Sequence, residues 1–319
     1  RRLFLKETGL ASAGTLLIDQ AAKSDGGPPA LPCRVLGKTK QKVTTLALGT
    51  WPCGKSSDLD LEAVERLVHE ALDMGVNYVD AARSYGRSER AIGLALKKRR
   101  DQVFLTSKVW ADTAKQAAAS FETSLRDLRT ECVDLAFVHG VGNRDVERVM
   151  AADGSLSYLL QQKEKGAIRF IGISGHSKPQ QFIPLIKTGQ VDVVMMPLNF
   201  VDRFTYGFEK NVLPVAREYG LGIACMKTFG GMRGGFSTAT GPDPGPMMQK
   251  DQMQLAVRYA LSVPDVATLV IGVHTVEQLK ENLRWIRDSK PLSRDENTAL
   301  LAIGKKQAAE WGPHFGPVS

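Results

Sequence analysis

Val103-Phe104-Leu105-Thr106-Ser107-Lys108 and Val133-Asp134-Leu135-Ala136-Phe137-Val138-His139 are short, nearly continuous apolar runs, and between them Ala117, Phe121, Leu125 and Leu128 recur at helical spacing. A strand apolar on both faces is one that expects cover on both sides, and an amphipathic helix of this period supplies it. Strand, helix and strand therefore form one βαβ unit with its strands parallel.

Working outward, the same alternation recurs. Further strand candidates are Leu46–Thr50, Asn77–Asp80, Ile168–Ser174, Val191–Met196, Gly222–Met226 and Ala267–Ile271, which with the first two make eight. Leu61, Val64, Leu67, Val68 and Leu72 mark another outer helix. Eight units in one chain of 319 residues predict an α/β fold, a single (β/α)8 TIM barrel. The segment Cys33–Val43, with Leu36-Gly37-Lys38-Thr39, reads as an N-terminal hairpin that plugs the barrel floor, and Arg294 to Trp311 as a C-terminal helix extension ahead of a Gly/Pro tail. The Gly- and Pro-rich stretch Phe229 to Pro246 is too long for a plain connection and is expected to be an active-site loop.

Composition narrows the function. With 43% hydrophobic and 24% charged residues the chain is globular in type, and no run is long enough for stable insertion in a membrane. The formal charge of +8 comes from scattered basic residues without an accompanying nucleic-acid motif, so no nucleic-acid partner is expected. Cys33, Cys53, Cys132 and Cys225 lie far apart with no C-x-x-C pair, which argues against zinc or iron-sulfur ligation; no metal is expected. Cys132 and Cys225 read as buried free thiols, with a disulfide left open.

Residues 1–30 differ from the rest. Arg1-Arg2-Leu3-Phe4-Leu5-Lys6, a modest apolar run from Gly9 to Ile18 and the polar linker Lys23 to Pro29 follow one another as in a twin-arginine export signal. The expectation is an exported protein that engages the twin-arginine machinery and works in the periplasm or elsewhere outside the cytoplasm; an ordinary amphipathic helix on a cytoplasmic protein is the alternative. The barrel domain is then 31–319.

In such barrels the C-terminal ends of the strands open onto one face, so side chains far apart in sequence converge there. Asp80 ends the second strand, Tyr85 lies in its loop, Lys108 ends the third strand and His139 the fourth. These four types suit reduction of a carbonyl. The developing alkoxide needs a proton; a phenol, with an ordinary pKa near 10, gives one up more readily beside a cation. Lys108 supplies that cation and Asp80 orients it, while neutral His139 donates a hydrogen bond to the carbonyl oxygen where charge grows. Tyr85 is then the general acid and base.

Asn77-Tyr78-Val79-Asp80-Ala81-Ala82-Arg83-Ser84-Tyr85-Gly86 with Ser88-Glu89, Lys108-Val109-Trp110, Val138-His139-Gly140 and Leu48-Gly49-Thr50-Trp51 together resemble the signatures of the aldo-keto reductase family. The resemblance runs from about Leu36 to Leu283 and implies a metal-free, NAD(P)H-dependent oxidoreductase that interconverts an aldehyde or ketone, or a sugar carbonyl, with its alcohol. It implies cofactor contacts at Thr50, Trp51, Ser174, Gly175, Asn199, Met226, Lys227, Gly230, Gly272, His274, Gln278 and Asn282. The chain departs from the family's pattern at three of its nicotinamide positions: Gly175 stands where Asn is expected, Met195 where Gln is, and the Ala224-Cys225-Met226 stretch where a stacking Tyr is common. Lys227 and the glycines after it suit a pyrophosphate. Gly272 and Gln278 replace basic residues often found near a 2′-phosphate, yet the family's habit favours NADP(H) over NAD(H).

Trp51, Trp110 and Phe200 are expected to wall the substrate, favouring an apolar or sugar-ring face over a strongly charged one. Two other readings compete. A Schiff-base lyase on the same barrel needs an uncharged Lys108, which Asp80 opposes. A nucleotide-binding redox sensor or partner subunit with little turnover is compatible with the altered nicotinamide positions, but has no need of a lysine-activated tyrosine.

Overall fold

A computed structural model describes residues 30–234 and 241–319. The export-signal expectation falls on residues 1–29 and lies outside the described residues.

Ten strands are described, β1 Cys33–Val35, β2 Lys42–Thr44, β3 Leu46–Gly49, β4 Tyr78–Asp80, β5 Phe104–Val109, β6 Val133–His139, β7 Ile168–Ser174, β8 Val193–Pro197, β9 Gly222–Met226 and β10 Val266–Gly272. Strands β3 to β10 form a closed, all-parallel barrel in sequence order, with β10 pairing back onto β3. Helices such as Leu61–Asp73, Ala114–Leu128 and Ser155–Glu164 connect them, and Val276–Arg287 follows the last strand. This is the (β/α)8 barrel that the alternating pattern predicts. Strand β3 stops at Gly49, one residue before the expected Thr50, because Trp51–Lys55 turns at once into a short helix with Pro52 in its first turn. Strand β8 starts at Val193 rather than Val191, and β10 reaches Gly272.

The period of two along each strand sorts the core into two. Ala47, Tyr78, Phe104, Leu135, Phe137, Val193, Met195, Ala224, Met226 and Ala267 fill the inside of the barrel, whereas Leu48, Val79, Leu105, Ala136, Val138, Ile171, Val194 and Cys225 pack outward under the helices. Large and small residues interleave inside: a Cβ added at Gly172 would lie 2.4 Å from the Phe137 ring. Continuing the inward row along β4, β5, β6 and β7 leads to Asp80, Lys108, His139 and Ser174 at the open end.

The other end is shut by the hairpin β1–β2. Gly37 lies in its turn at φ +50°, and a Cβ there would sit 2.3 Å from the backbone nitrogen of Gly222, so the turn is pressed onto the start of β9. Leu36 fills the interior beneath it. The last helix, Arg294–Trp311, begins with a capping box from Ser293 and Glu296 and crosses the chain at Phe200, where a Cβ on Gly304 would meet the Phe200 carbonyl at 2.0 Å. All four cysteines are free; Cys225 is buried as expected, whereas Cys132 is only half-buried, at the end of the turn before β6. No helix among the described residues is long and apolar enough to cross a membrane.

Candidate active site

A cavity of about 870 Å³ opens at the C-terminal ends of the strands. Asp80, Tyr85, Trp110, His139 and His176 line one part of it, and His274, Gln278, Glu281, Asn282 and Trp285 another.

The four residues expected to carry the chemistry come together at its base. Lys108 Nζ donates to Asp80 Oδ2 at 2.5 Å and to the Ala81 carbonyl at 2.9 Å. Asp80 Oδ1 accepts from Thr106 Oγ1 at 2.8 Å, and both members of the ion pair are almost fully buried. The Lys108 ammonium lies 4.7 Å from the centre of the Tyr85 ring, and that ring meets His139 edge-on at 5.9 Å. Burial acts to lower Lys108, but the Asp80 carboxylate and the Tyr85 phenol more than reverse it, so its pKa ends above the ordinary value. A charged, paired lysine excludes the Schiff-base reading.

Tyr85 corrects one expectation. Burial of the phenol raises its pKa above 10 and outweighs the lowering by Lys108. A phenol in this state holds its proton at neutral pH, as a donor in the reductive direction must. His139 is driven well below 6.5, first by burial and then by Lys108, Arg144 and Lys227, and is therefore neutral. Its Nδ1 lies 3.3 Å from Ser84 Oγ, and Trp110 meets its ring edge-on at 5.2 Å. Arg144 in turn stacks on Trp110 at 4.3 Å.

Supporting residues fix the loop that carries Tyr85. Thr50 does not line the cavity as a cofactor contact: its hydroxyl donates to the Asp80 carbonyl at 2.9 Å and lies 2.6 Å from Ser88 Oγ. Buried Glu89 accepts from Ser107 Oγ at 2.6 Å and from Arg83 at 2.8 Å, joining the residue before Lys108 to the residue two before Tyr85.

The nicotinamide positions are arranged differently. His139, Ser174 and Met195 are neighbours in register across β6, β7 and β8. Ser174 Oγ is buried without a hydrogen-bond partner among the described residues, a polar atom still to be satisfied. A Cβ at Gly175 would lie 3.0 Å from both Phe182 Cζ and the Val141 nitrogen, so an asparagine does not fit there without a shift. Met195 and Met226 line the cavity with thioethers where an amide and an aromatic ring were looked for. The orphan hydroxyl of Ser174 and the mixed apolar and polar lining fit a nicotinamide nucleotide, with its carboxamide held by fewer side chains than usual.

Two expected contacts are overturned. Asn199 is fully buried, with its amide spent on Asp202, Val201 and the Lys227 carbonyl. Phe200 does not reach the substrate space: the turn that buries Asn199 also carries its ring away, to pack 6.2 Å from Tyr259 beneath the last helix. Gly230 packs on Trp311, and its neighbour Gly231 takes the place on the cavity wall. Gly175 is not on that wall, and Ser174 lies next in register to Met195, which is. Trp51, Trp110, Met226, Lys227, Gly272, His274, Gln278 and Asn282 do line the cavity. His274 Nδ1 lies 3.0 Å from Asp243 Oδ2, and its backbone N–H donates to Gln278 Oε1 at 2.7 Å.

Phe315 joins the site without having been expected there. This residue of the Gly/Pro tail folds back to the cavity wall, its N–H donating to Tyr206 Oη at 2.6 Å and its ring lying 5.6 Å from that of His176. Nothing in the periodicity of the tail marks it.

Known proteins agree with this geometry. The model of the aldo/keto reductase family matches residues 45–254. The chain is 24% identical over 312 residues to an uncharacterized oxidoreductase of Bacillus subtilis, YqkF, covering 86% of this chain and 96% of that one. It is 24% identical over 298 residues to L-galactose dehydrogenase of Arabidopsis thaliana, covering 83% and 91%. The solved aldo-keto reductase of Bacillus halodurans in its holo form shares the fold, with a TM-score of 0.68 and 22% identity over 90% of this chain and 100% of that one. With its closed barrel, its buried Asp80–Lys108 pair and this match, the chain belongs to the aldo/keto reductase family of oxidoreductases.

Proposed function

We propose that this protein reduces the carbonyl group of a small aldehyde, ketone or sugar, using NAD(P)H with NADP(H) preferred, and that Tyr85 is its proton donor. The observation that carries this reading is the buried Lys108–Asp80 pair beneath the Tyr85 ring, flanked by neutral His139. The bound nucleotide supplies the hydride. His139 donates a hydrogen bond to the carbonyl oxygen, the Tyr85 phenol gives it a proton, and the Lys108 ammonium stabilises the phenolate left behind. Asp80 keeps that ammonium charged and in place.

Lys55, Arg233 and Lys250 on the cavity wall support an anionic dinucleotide, and a 2′-phosphate adds to the charge they meet. Similarity to a relative named for L-galactose supports a sugar-sized substrate. The order of motifs in residues 1–30 supports twin-arginine export and work outside the cytoplasm.

The test is a fluorescence titration of the purified chain with NADPH and NADH, followed by turnover of aldehydes and sugars in the wild type and in Tyr85→Phe. Saturable binding with turnover that the variant loses is the expected result. Binding without turnover of any carbonyl would leave the redox-sensor reading in its place.

A further inference from the structure

The chain that leaves His139 brings a cation back over the rim of the site. Gly140 turns it at φ +70°, Val141–Asn143 makes a short helical turn, and Arg144 ends that turn with its N–H donating to the Val141 carbonyl at 3.1 Å. The Arg144 guanidinium thereby lies 4.3 Å from the centre of the Trp110 indole, which stands two residues past Lys108. The Arg144 side chain is only 12% exposed, and its Nη1 lies 3.3 Å from Asp112 Oδ1. Its Nε is buried with no hydrogen-bond partner among the described residues, so the indole and Asp112 are what hold it. Asp112 is itself fixed. Its carbonyl accepts from the Ser155 N–H at 3.0 Å, and Thr113 and Gln116 beside it form the capping box of the helix Ala114–Leu128.

Trp110 is held from several directions. Arg144 covers it, His139 meets it edge-on at 5.2 Å, and Gly140 leaves it room, since a Cβ there would lie 2.3 Å from the indole Cζ3. Yet Trp110 remains 45% exposed, and it lines the cavity beside Tyr85 and His139. A large ring left open on the wall that carries the proton-handling groups is a surface for a ligand rather than a piece of the core. Fixing it before the ligand arrives removes the ordering cost that a loose indole would add to binding. That gain is not shared equally among ligands. A rigid ring touches the indole over its whole face only where the indole already stands in place, whereas an open chain bends to meet it in any position.

We propose that Arg144 is a positioning residue that holds Trp110 as a fixed wall of the substrate space, and that this wall selects compounds whose carbonyl is borne on a ring over open-chain ones. The ring is carbocyclic, aryl or that of a cyclic sugar. This rests on the carbonyl-reductase reading and adds to it the shape of the substrate. Arg144 stands behind the indole and is not itself on the cavity wall, so it acts through Trp110.

The experiment compares cyclohexanecarbaldehyde with its ring-opened counterpart, ethylpropylacetaldehyde, in the full chain, for the wild type, Arg144→Met and Arg144→Lys. Both aldehydes are saturated, branched next to the carbonyl and equal in carbon count, so a difference in kcat/KM comes from the protein. In the wild type the ring is preferred by about tenfold. Arg144→Met raises KM for the ring aldehyde by about tenfold, as befits loss of a desolvated cation–π contact. It leaves kcat, the open-chain KM and the NADPH dissociation constant within about threefold. Arg144→Lys, which keeps the charge without the planar fork, recovers part of the loss. Should Arg144→Met not fold, Asp112→Asn removes the partner of the guanidinium and leaves the stack, and its selective rise in the ring KM is about threefold. Equal losses for the two aldehydes, an unchanged ring KM, or a wild type without ring preference would overturn the proposal. Calorimetric binding of the two corresponding alcohols separates this idea from the function it builds on. If no carbonyl turns over but cyclohexylmethanol binds more tightly than the open-chain alcohol and Arg144→Met abolishes the difference, the reductase reading falls and the wall stands. If the aldehydes turn over and Arg144→Met spares the ring preference, the wall falls alone.

Discussion

Two parts of one cavity wall have been treated differently by this chain. Along β4, β5 and β6 the residues proposed to handle the proton match the family's pattern, and they are held by a buried ion pair, a threonine and a backbone carbonyl. Along β7, β8 and β9, at the same height in the barrel, amide and aromatic groups give way to Gly175, Met195 and Met226, with Lys227 added. Asp80 and Lys108 form one electrostatic unit, in which loss of either member leaves a buried charge without its partner. A nicotinamide carboxamide bound there would be held by separate hydrogen bonds, each worth about 1 kcal/mol, and such a set can be altered piecemeal.

If that contrast is right, the largest effect belongs to the tetrad. Tyr85→Phe lowers kcat by roughly 10²–10⁴-fold with nucleotide affinity unchanged, measured by steady-state turnover and fluorescence titration. Retained turnover would break the comparison outright. Next comes stability: Lys108→Met leaves Asp80 buried without its cation and lowers the unfolding free energy by about 3–5 kcal/mol, read from denaturant titration.

A smaller effect follows from the imidazoles. His139 and His176 refuse protons in the folded protein below pH 6.5, whereas in the unfolded chain they accept them at the ordinary pKa. Falling pH therefore favours unfolding. The denaturant midpoint should be lower at pH 5.5 than at pH 7.5, and replacing His176 with Gln should flatten that difference. The smallest effect sharpens the other side of the comparison. Met195→Gln restores an amide beside Ser174 and should tighten nucleotide binding by about two- to tenfold with kcat nearly unchanged, since one hydrogen bond is gained.

The barrel was legible because its signal is repetitive: β6, β7 and β9 coincide with the runs read from the sequence, whose apolar majority outweighs Asp134 and His139 in β6 and Arg169 in β7. The tetrad was legible because strand ends in a closed barrel must converge, whatever the details of packing. Phe200 and Asn199 were misplaced for a local reason. Which way a side chain points just past a strand depends on the turn, and here the hydrogen bonds of Asn199 to Val201 and Asp202 decide it. Phe315 escaped notice because its position depends on a tail folding back over more than a hundred residues of sequence to meet Tyr206. The pKa of Tyr85 was misjudged because burial, which no sequence pattern measures, outweighs a neighbouring charge that the pattern does reveal.

Gly175 has a further consequence, for descent rather than for chemistry. The ring of Phe182 and the backbone at Val141 each stand 3.0 Å from where a side chain at this position would begin, and Phe182 is itself set edge-on against Phe208 at 5.3 Å. An asparagine there, two base changes away from glycine, would need Phe182 or the backbone to give way by a few tenths of an ångström. The glycine is thus held in place by its neighbours as well as by its codon.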